Sequence, residues 1–287
     1  MRLPGAPDHT HLPPLDIPYI LRQADLRPNK KLGQNFLSDP NILMRIVSAA
    51  GVTRSDRVLE IGPGLGSLTR HLAVSAQSVT AVEIDRKLFP ILTNLLENFP
   101  NVKLIQGDML ELDPLTLMES PGYLVVANIP YYITSALIRH LLESACQPAR
   151  IVLTVQNEVA QRICAVEGDY SLLALSVQVY GKPEIAFRIP AGAFYPSPKV
   201  DSAVVRIQLY TEPIVPAPQI DQFFKLIRAG FSQKRKTLRN SLSSGLKYSP
   251  PVIEGWLRKH DIDPMRRAET LALQEWQSLT LSLEQLK

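Results

Sequence analysis

The chain has 287 residues, of which 45% are hydrophobic and 20% charged, so it can hold one large domain and a smaller one with ordinary globular cores. Its apolar runs are too short to cross a bilayer and its N-terminus lacks a signal-peptide pattern, so we expect a cytoplasmic protein without membrane contact. The two cysteines and five histidines show no metal-ligand spacing, which argues against a metal site, and the net charge of +4 identifies no ligand by itself.

Residues 1–28 form a proline-rich segment with little hydrophobic periodicity. We expect a loosely ordered arm with a short helix near Ile20–Leu26. Strands and helices then alternate along the chain. The strands are predicted at Arg57–Ile61, Val79–Ile84, Val102–Ile105, Tyr123–Ala127 and Ile151–Val155, and the helices at Asn41–Ala50, Ser67–Ala73, Arg86–Asn98 and Ser135–Leu142. This alternation predicts a mainly parallel sheet covered on both faces by helices.

The sheet domain is expected to span residues 29–212. Near its end, Asn157–Val166 and Leu172–Tyr180 have helical spacing, although the second of these segments also suits a strand. Ile185–Ile189 and Ala203–Leu209 alternate apolar and polar residues, as an antiparallel pair does. A proline-rich linker follows, and a helical domain is expected over residues 213–287. Its helices are predicted at Ile220–Leu246, Pro251–His260 and Thr270–Leu286.

A glycine-rich turn follows the first predicted strand, in the run Glu60-Ile61-Gly62-Pro63-Gly64-Leu65-Gly66. Glycine lets the backbone turn sharply and approach a ligand closely. Dinucleotide-binding enzymes carry a similar turn, but their fingerprint counted from Gly62 requires a small apolar residue where this chain has Ser67. Glu60 lies immediately before the turn, where it can receive the ammonium group of S-adenosylmethionine.

Carboxylates stand at the ends of the next two strands. Glu83 lies 21 residues after Gly62, where it can accept hydrogen bonds from ribose hydroxyls, and Asp85 beyond the strand is the poorer candidate. Asp108 follows the third strand, where it can accept from an adenine amino group. Each acid alone is also explained by the ordinary presence of polar residues at strand ends. Because parallel strands end at one edge, the set predicts a single cleft for S-adenosylmethionine.

The fourth strand ends in Asn128-Ile129-Pro130-Tyr131. An adenine N6 amine is a poor nucleophile because its lone pair is delocalised into the ring. The Asn128 side-chain oxygen and a backbone carbonyl next to Pro130 can accept hydrogen bonds from its N–H groups and hold the amine in a reactive geometry. Tyr131 can stack on a flipped base. Alone, the tetrapeptide is explained equally well as a strand that ends in a proline turn, but beside a sulfonium cofactor it favours methyl transfer to an amine.

From about Lys30 to the C-terminus the chain resembles the small-subunit ribosomal RNA adenine N6,N6-dimethyltransferase family. The resemblance is carried by Lys31-Leu32-Gly33-Gln34-Asn35-Phe36-Leu37, by Leu59–Gly66, by Asn128–Tyr131 and by Phe194-Tyr195-Pro196-Ser197-Pro198-Lys199-Val200-Asp201-Ser202-Ala203-Val204. It implies a Rossmann-like class I methyltransferase with a mainly parallel seven-stranded sheet and a small all-α C-terminal domain. Tyr132 departs from some relatives, which have a small polar residue there, and the arm has no counterpart.

The resemblance also implies a substrate and a set of site residues. The substrate is a pair of adjacent adenines in the 3′-terminal hairpin loop of small-subunit (16S) rRNA, each methylated twice, within the small subunit or its precursor. The residues implied to bind the cofactor are Asn35, Leu37, Gly62, Glu83, Asp108 and Asn128. The catalytic set is Asn128, Tyr131 and Phe194, with the adenine sandwiched between the two rings. From the residues alone, Phe194 reads as a core aromatic before a proline turn.

Basic residues concentrate in one segment. Between Ile220 and Lys247 seven basic residues stand against one acid, a local charge of +6. Lys234, Arg235 and Lys236 are consecutive and would spread over roughly 200° of a helix. Such a run is usually a solvated face, but its density here predicts that these three residues and Arg239 contact RNA phosphates.

Three alternatives remain open. A related enzyme dimethylates one adenine of large-subunit rRNA and confers macrolide resistance, although the run Pro198–Val204 resembles the small-subunit enzymes more. A non-catalytic RNA- or DNA-binding factor of the same fold is disfavoured by the intact Asn128–Tyr131 motif. A nicotinamide dehydrogenase is disfavoured by Ser67 and by the lack of an acid or base for hydride transfer. We expect a monomer that takes part in small-subunit biogenesis.

Overall fold

The structure, a computed structural model, describes residues 12–129 and 133–286. The chain divides into two compact units. The first runs to Ala160 and includes Glu184–Leu209, and the second combines Gln161–Pro183 with the chain from Tyr210 onward. Within the described ranges, no helix combines the length and the apolar character that a membrane span requires.

The elements follow one another in the order that the hydrophobic periodicity predicts. Up to Leu209 they are α1 (Ile17–Gln23), a 3-10 turn (Lys30–Leu32), β1 (Phe36–Leu37), α2 (Pro40–Ala50), β2 (Arg57–Ile61), α3 (Ser67–Ser75), β3 (Ser78–Glu83), α4 (Phe89–Leu95), β4 (Val102–Gln106), α5 (Pro114–Met118), β5 (Leu124–Asn128), α6 (Thr134–Glu143), β6 (Arg150–Gln156), α7 (Asn157–Ile163), α8 (Leu172–Gln178), β7 (Gly181–Ile189), β8 (Phe194–Tyr195) and β9 (Ser202–Leu209). The short strands β1 and β8 and the short helix α5 have no counterpart among the predicted elements.

Seven strands form one sheet in the order β4-β3-β2-β5-β6-β9-β7. Strands β2 to β6 pair in parallel with their neighbours, and β9 pairs antiparallel with β6. The predicted seven-stranded, mainly parallel α/β fold is therefore confirmed. The central strands are apolar because helices cover both faces, and residues such as Val58, Val126 and Val152 are almost completely buried.

Helix α2 shows why these segments fold as predicted. Asp39 caps it through hydrogen bonds from the backbone N–H groups of Asn41 and Ile42, and Gly51 ends it in the left-handed conformation. Ile46 and other apolar residues of its inner face join the core that lies on the sheet. Cap, periodicity and terminating glycine are all local signals, so they are legible in the sequence.

The described part of the N-terminal arm packs against the first unit. Helix α1 begins three residues before the predicted helix and is capped by Asp16. Its inner face buries Ile17 and Leu21 in a small cluster with Phe36, Leu65 and Leu88. The short helix predicted near Ile20–Leu26 therefore forms with shifted bounds, and burial of two large apolar side chains compensates the entropy of ordering it. Residues 1–11 lie outside the described residues.

Helix α8 belongs to the second unit, not to the sheet domain in which residues 161–183 were expected. It packs on α9 (Ile220–Phe231), and the Tyr180 and Phe224 rings stack with centroids 6.3 Å apart. The backbone N–H of Ile214 also donates to the Val179 carbonyl. These contacts join segments far apart in sequence, which periodicity does not encode.

The C-terminal part is helical, as predicted, but the long helix expected over Ile220–Leu246 is wrong. It ends at Phe231 and a new helix, α10 (Leu238–Leu246), begins after a turn; α11 (Pro250–Lys259) and α12 (Leu273–Ser282) follow. The break lets α10 fold back on α9, and at their closest approach a Cβ on Gly245 would lie 2.5 Å from the Ala229 Cβ. The first backbone N–H groups of α10 donate to the carbonyls of Arg266 and Pro264.

Candidate active site

A cavity of about 230 Å³ opens at the carboxyl ends of β2, β3, β4 and β5. Each strand contributes polar or glycine residues to the wall: Gly62 after β2, Glu83 at the end of β3, Asp108 after β4 and Asn128 at the end of β5. The loop before β1 closes another side. The predicted cleft is thus one continuous cavity inside the first unit, at the edge where ligands bind in open α/β sheets.

The glycine turn brings backbone close to this space. Gly62 and Gly64 have φ angles of +70° and +62°, in the left-handed region that favours glycine. A Cβ at position 64 would also stand 3.0 Å from ring carbons of Phe36, another residue of the cavity wall. The turn therefore requires glycine both for its conformation and for the closeness of the facing wall.

Glu83 is buried at the tip of β3, and both its carboxylate oxygens accept backbone hydrogen bonds. The Gly64 N–H donates to Oε2 at 2.9 Å and the Asp85 N–H to Oε1 at 2.8 Å. Burial raises the pKa of this carboxyl above its ordinary value, and the two hydrogen bonds limit the rise. Each oxygen keeps a second lone pair, so the arrangement holds the carboxylate in a fixed orientation from which it can still accept hydroxyl donors.

Asp108 reaches the cavity from the end of β4. Its Oδ1 accepts the Leu110 N–H at 2.9 Å, which fixes the turn after the strand. No described residue donates to Oδ2, so that oxygen is available to a ligand amino group.

Glu60 is 1% exposed and lines the same cavity. Its Oε2 has no hydrogen-bond partner among the described residues. Burial is the main cause that raises the pKa of Glu60 to about 8; the Thr69 side chain acts in the opposite direction, and the nearby Glu83 carboxylate adds a smaller rise. A buried carboxyl oxygen without a partner is costly, and a cationic ligand group would supply the missing partner.

The Asn128 side chain is held by the loop that precedes β1. Its Nδ2 donates to the Asn35 backbone carbonyl at 3.1 Å, and the Asn35 side chain donates to the Gly33 carbonyl at 3.0 Å. One N–H of the Asn128 amide is thereby paired, and no described residue donates to its oxygen. Asn35 and Leu37 also line the cavity, next to the positions predicted for the cofactor. The predicted Tyr131, with Pro130 and Tyr132, lies outside the described residues.

Phe194 takes a different position from the other predicted site residues. It is 5% exposed and packs in the core with Leu37, its partner in the β1–β8 pairing. Leu37 lines the cavity, whereas Phe194 is not among the described residues of the cavity wall. This matches the residue-based interpretation of Phe194 as a core aromatic, and the base-stacking role stays a prediction.

Two wall residues were not anticipated as part of the site. Ile84 follows Glu83 and is 45% exposed, although it is apolar, so it offers a flat hydrophobic surface beside the predicted ribose site. Gln34 donates from Nε2 to Asp85 Oδ2 at 2.6 Å. Ile84 could have been found from the sequence, because it is an apolar residue directly after an acid at a strand end. Gln34 could not, because its role depends on a contact with a residue 51 positions away.

The predicted RNA-binding residues lie in the second unit. Lys234, Arg235 and Lys236 are exposed in the turn between α9 and α10, so the predicted spread over a helix is wrong. Arg239 differs, because its guanidinium pairs with Glu254 at 2.9 Å. Lys234, Arg235 and Lys236 form no ion pair with another described residue, so their charges are available for phosphate contacts.

Comparisons with known proteins agree with this geometry. The family model described as ribosomal RNA adenine dimethylase matches residues 26–285. The ribosomal RNA small subunit methyltransferase A of Dehalococcoides mccartyi strain CBDB1 is 47% identical over 257 residues, covering 89% of this chain and 88% of that protein. Two crystal structures are each 29% identical. For a dimethyladenosine transferase from Plasmodium falciparum the TM-score is 0.75, and the match covers 88% of this chain and 98% of that one. For the 23S rRNA methyltransferase ErmE the TM-score is 0.71, and the match covers 87% of this chain and 100% of that one.

Glu60 generates a pH prediction. Because its folded-state pKa, about 8, exceeds the ordinary 4.5, the folded protein binds a proton that the unfolded chain releases between these pH values. The free energy of unfolding therefore falls as pH rises through this window. Glu60→Gln has no proton to lose, so its stability relative to the wild type should increase by about 2–4 kcal/mol from pH 5 to pH 8. Urea unfolding at four pH values measures this, and parallel pH profiles would contradict it.

Proposed function

The chain belongs to the ribosomal RNA adenine dimethylase family, and we propose that it dimethylates the N6 amines of two adjacent adenines in the 3′-terminal hairpin loop of small-subunit rRNA with S-adenosylmethionine as donor. The observation that carries the chemistry is the Asn128 amide, whose nitrogen is bound to the Asn35 carbonyl and whose oxygen is left for a substrate donor. The small-subunit assignment follows the name of the 47% identical relative.

The cavity residues fit the cofactor. Glu60 has an unpartnered buried oxygen for the ammonium group, Glu83 presents a fixed carboxylate for the ribose hydroxyls, and Asp108 has a free oxygen for the adenine amine. Ile84 provides an apolar surface for the adenine ring. Gly62 has no side chain, so the cofactor can approach the backbone closely. When bound, S-adenosylmethionine supplies an electrophilic methyl group on a positively charged sulfur.

Asn128 acts on the acceptor amine. In adenine the N6 lone pair is delocalised, and both N–H bonds lie in the plane of the ring. When the Asn128 oxygen accepts a hydrogen bond from one of these N–H groups, it fixes the position of the amine. This contact favours a geometry in which the nitrogen lone pair is directed toward the methyl group. The N–H becomes more acidic as the nitrogen gains the methyl, so the proton can leave to water without a strongly basic side chain.

The remaining parts of the proposal concern substrate binding. Tyr131 and Phe194 are proposed to sandwich the flipped adenine. Lys234, Arg235, Lys236 and Arg239 are proposed to hold rRNA phosphates, so they position the RNA and do not read its sequence. The protein is proposed to act as a cytoplasmic monomer, without membrane contact, on the small ribosomal subunit or its precursor.

The substrate is tested by methyl transfer from labelled S-adenosylmethionine to naked small-subunit rRNA, to isolated small subunits and to large-subunit rRNA. We expect methylation of two adjacent adenines near the 3′ end of small-subunit rRNA. Selective methylation of one large-subunit adenine would favour the second candidate, which rests on the structural likeness to ErmE. Cofactor binding without methylation of any rRNA would favour the non-catalytic alternative.

Asn128→Ala should lower the rate of methyl transfer at saturating cofactor by about 100-fold or more, because the acceptor for the substrate amine is lost. Asn128→Asp keeps an oxygen but loses the N–H donor to Asn35, so we expect a large loss there too. Asn98→Ala, at an exposed asparagine in the turn after α4, is the matched control. Single-turnover kinetics measures the rate; an Asn128→Ala rate within threefold of the wild type would exclude the proposed role.

Replacing Lys234, Arg235 and Lys236 by alanine should weaken binding of the 3′-terminal hairpin RNA. Each lost phosphate contact removes close to one unit of the slope of log affinity against log salt, so the slope should fall by about 2–3. Cofactor affinity should not change. A triple variant of the exposed Arg54, Lys103 and Lys182 has the same change in net charge and is the control. Filter binding over a salt series measures both; equal slopes for the two variants would contradict a local RNA contact.

A further inference from the structure

Gln34 makes a bridge between two parts of the active site that are far apart in sequence. Its side-chain nitrogen donates to Asp85 Oδ2 at 2.6 Å, and its side-chain oxygen accepts the Asn29 N–H at 2.7 Å. Both ends of the amide are therefore used. Gln34 is only partly buried and does not belong to the core clusters of the first unit.

The Asp85 end of this bridge is rigid. The Asp85 N–H donates to the Glu83 carboxylate at 2.8 Å, and Asp85 Oδ1 accepts the Lys87 N–H at 3.0 Å. The same turn replaces the first residues of the helix that was expected from Arg86, because α4 begins only at Phe89. Asp85 is thereby fixed to the strand tip that carries Glu83, and it presents its second oxygen to Gln34.

The loop that carries Gln34 also contacts the catalytic amide. Gln34 is followed directly by Asn35, whose carbonyl accepts the Asn128 Nδ2–H. An asparagine amide can turn by 180° and exchange its oxygen and nitrogen positions, and the turned amide would present N–H groups to a substrate amine that is itself a donor. The Asn35 carbonyl selects the useful orientation only if the loop holds it in place.

We propose that Gln34 is a positioning residue for methyl transfer: through its hydrogen bond to Asp85 it fixes the loop 29–35, so that the Asn35 carbonyl holds the Asn128 amide with its oxygen toward the cavity. The proposal rests on the proposed function in that Asn128 is the group that contacts the amine. It also gives a role to Asp85, which does not line the cavity, and to the glutamine in the run Lys31–Leu37.

The decisive variants exchange the chemistry of the bridge. Gln34→Glu places two carboxylates face to face and should open the loop. Adding Asp85→Asn restores a donor and an acceptor with their direction reversed, and the asparagine oxygen can still accept the Lys87 N–H. Gln77→Ala is the control, since Gln77 is an exposed glutamine on the turn before β3, at the opposite edge of the sheet.

The first readout is kinetic. In single-turnover methyl transfer at saturating S-adenosylmethionine, Gln34→Glu should be slower by about tenfold or more, because a small displacement of the orienting carbonyl misplaces Asn128. The affinity for the cofactor should change by less than about threefold, since Glu83 and its N–H donors remain. The double variant should return to within about threefold of the wild-type rate, and Gln77→Ala should not differ from it.

The second readout does not depend on activity. The side-chain amide of Asn128 is assigned in NMR spectra by its disappearance in Asn128→Asp. Its hydrogen exchange should be about fivefold faster in Gln34→Glu, as expected when a hydrogen bond of ordinary strength opens, and should return to the wild-type rate in the double variant. Unchanged exchange in Gln34→Glu, or a double variant as slow in methyl transfer as the single one, would overturn the proposal. If the exchange pattern holds but the wild type methylates no rRNA, the proposed function fails and the bridge stands.

Discussion

The hydrogen bond from Asn128 Nδ2 to the Asn35 carbonyl is the contact on which the proposed chemistry depends. It joins residues 93 positions apart, and it determines which of two chemically opposite ends the amide presents to the cavity. Everything that keeps the loop before β1 in place therefore serves the reaction. The β1–β8 pairing and the capped 3-10 turn at Lys30–Leu32 hold its two ends. Helix α1 supports the same region by packing Ile17 and Leu21 against Phe36.

Two buried carboxyls beside each other would ordinarily destabilise a small domain. The structure treats them differently. Glu83 receives two backbone N–H groups and is satisfied, whereas Glu60 keeps one oxygen without a partner, and burial raises its pKa to about 8. Sequences usually avoid such a group except where function requires it. An ammonium group bound at Glu60 would favour the carboxylate and release the proton, so the unfavourable carboxyl of the free protein becomes a favourable contact with a cationic ligand.

Features of the site that follow from local patterns could be predicted from the sequence. The glycine turn, Glu83, Asp108 and Asn128 each stand directly after an apolar strand, and parallel strands end at a common edge, so their convergence needed no long-range information. Other features depend on contacts that periodicity does not encode. The return of α10 onto α9 brings Gly245 against Ala229, and the bridge from Gln34 to Asp85 links two loops. The spacing of Leu172–Tyr180 suited both a helix and a strand, and neither the choice of helix nor its packing on α9 could be predicted from it.

Acidic residues line the cavity and basic residues lie on a turn of the second unit, and this distribution of charge argues against binding of a dinucleotide in the cavity. Three carboxyls, Glu60, Glu83 and Asp108, line the cavity, and no described lining residue is basic. A pyrophosphate placed there would face these acids without a cation to neutralise it, whereas a ligand with an ammonium and a sulfonium group gains from them. The exposed lysines and arginine at positions 234–236 carry the opposite charge on a separate turn of the second unit. A polyanion would thus be attracted to this turn and not to the cavity, whose carboxyls favour a cationic ligand.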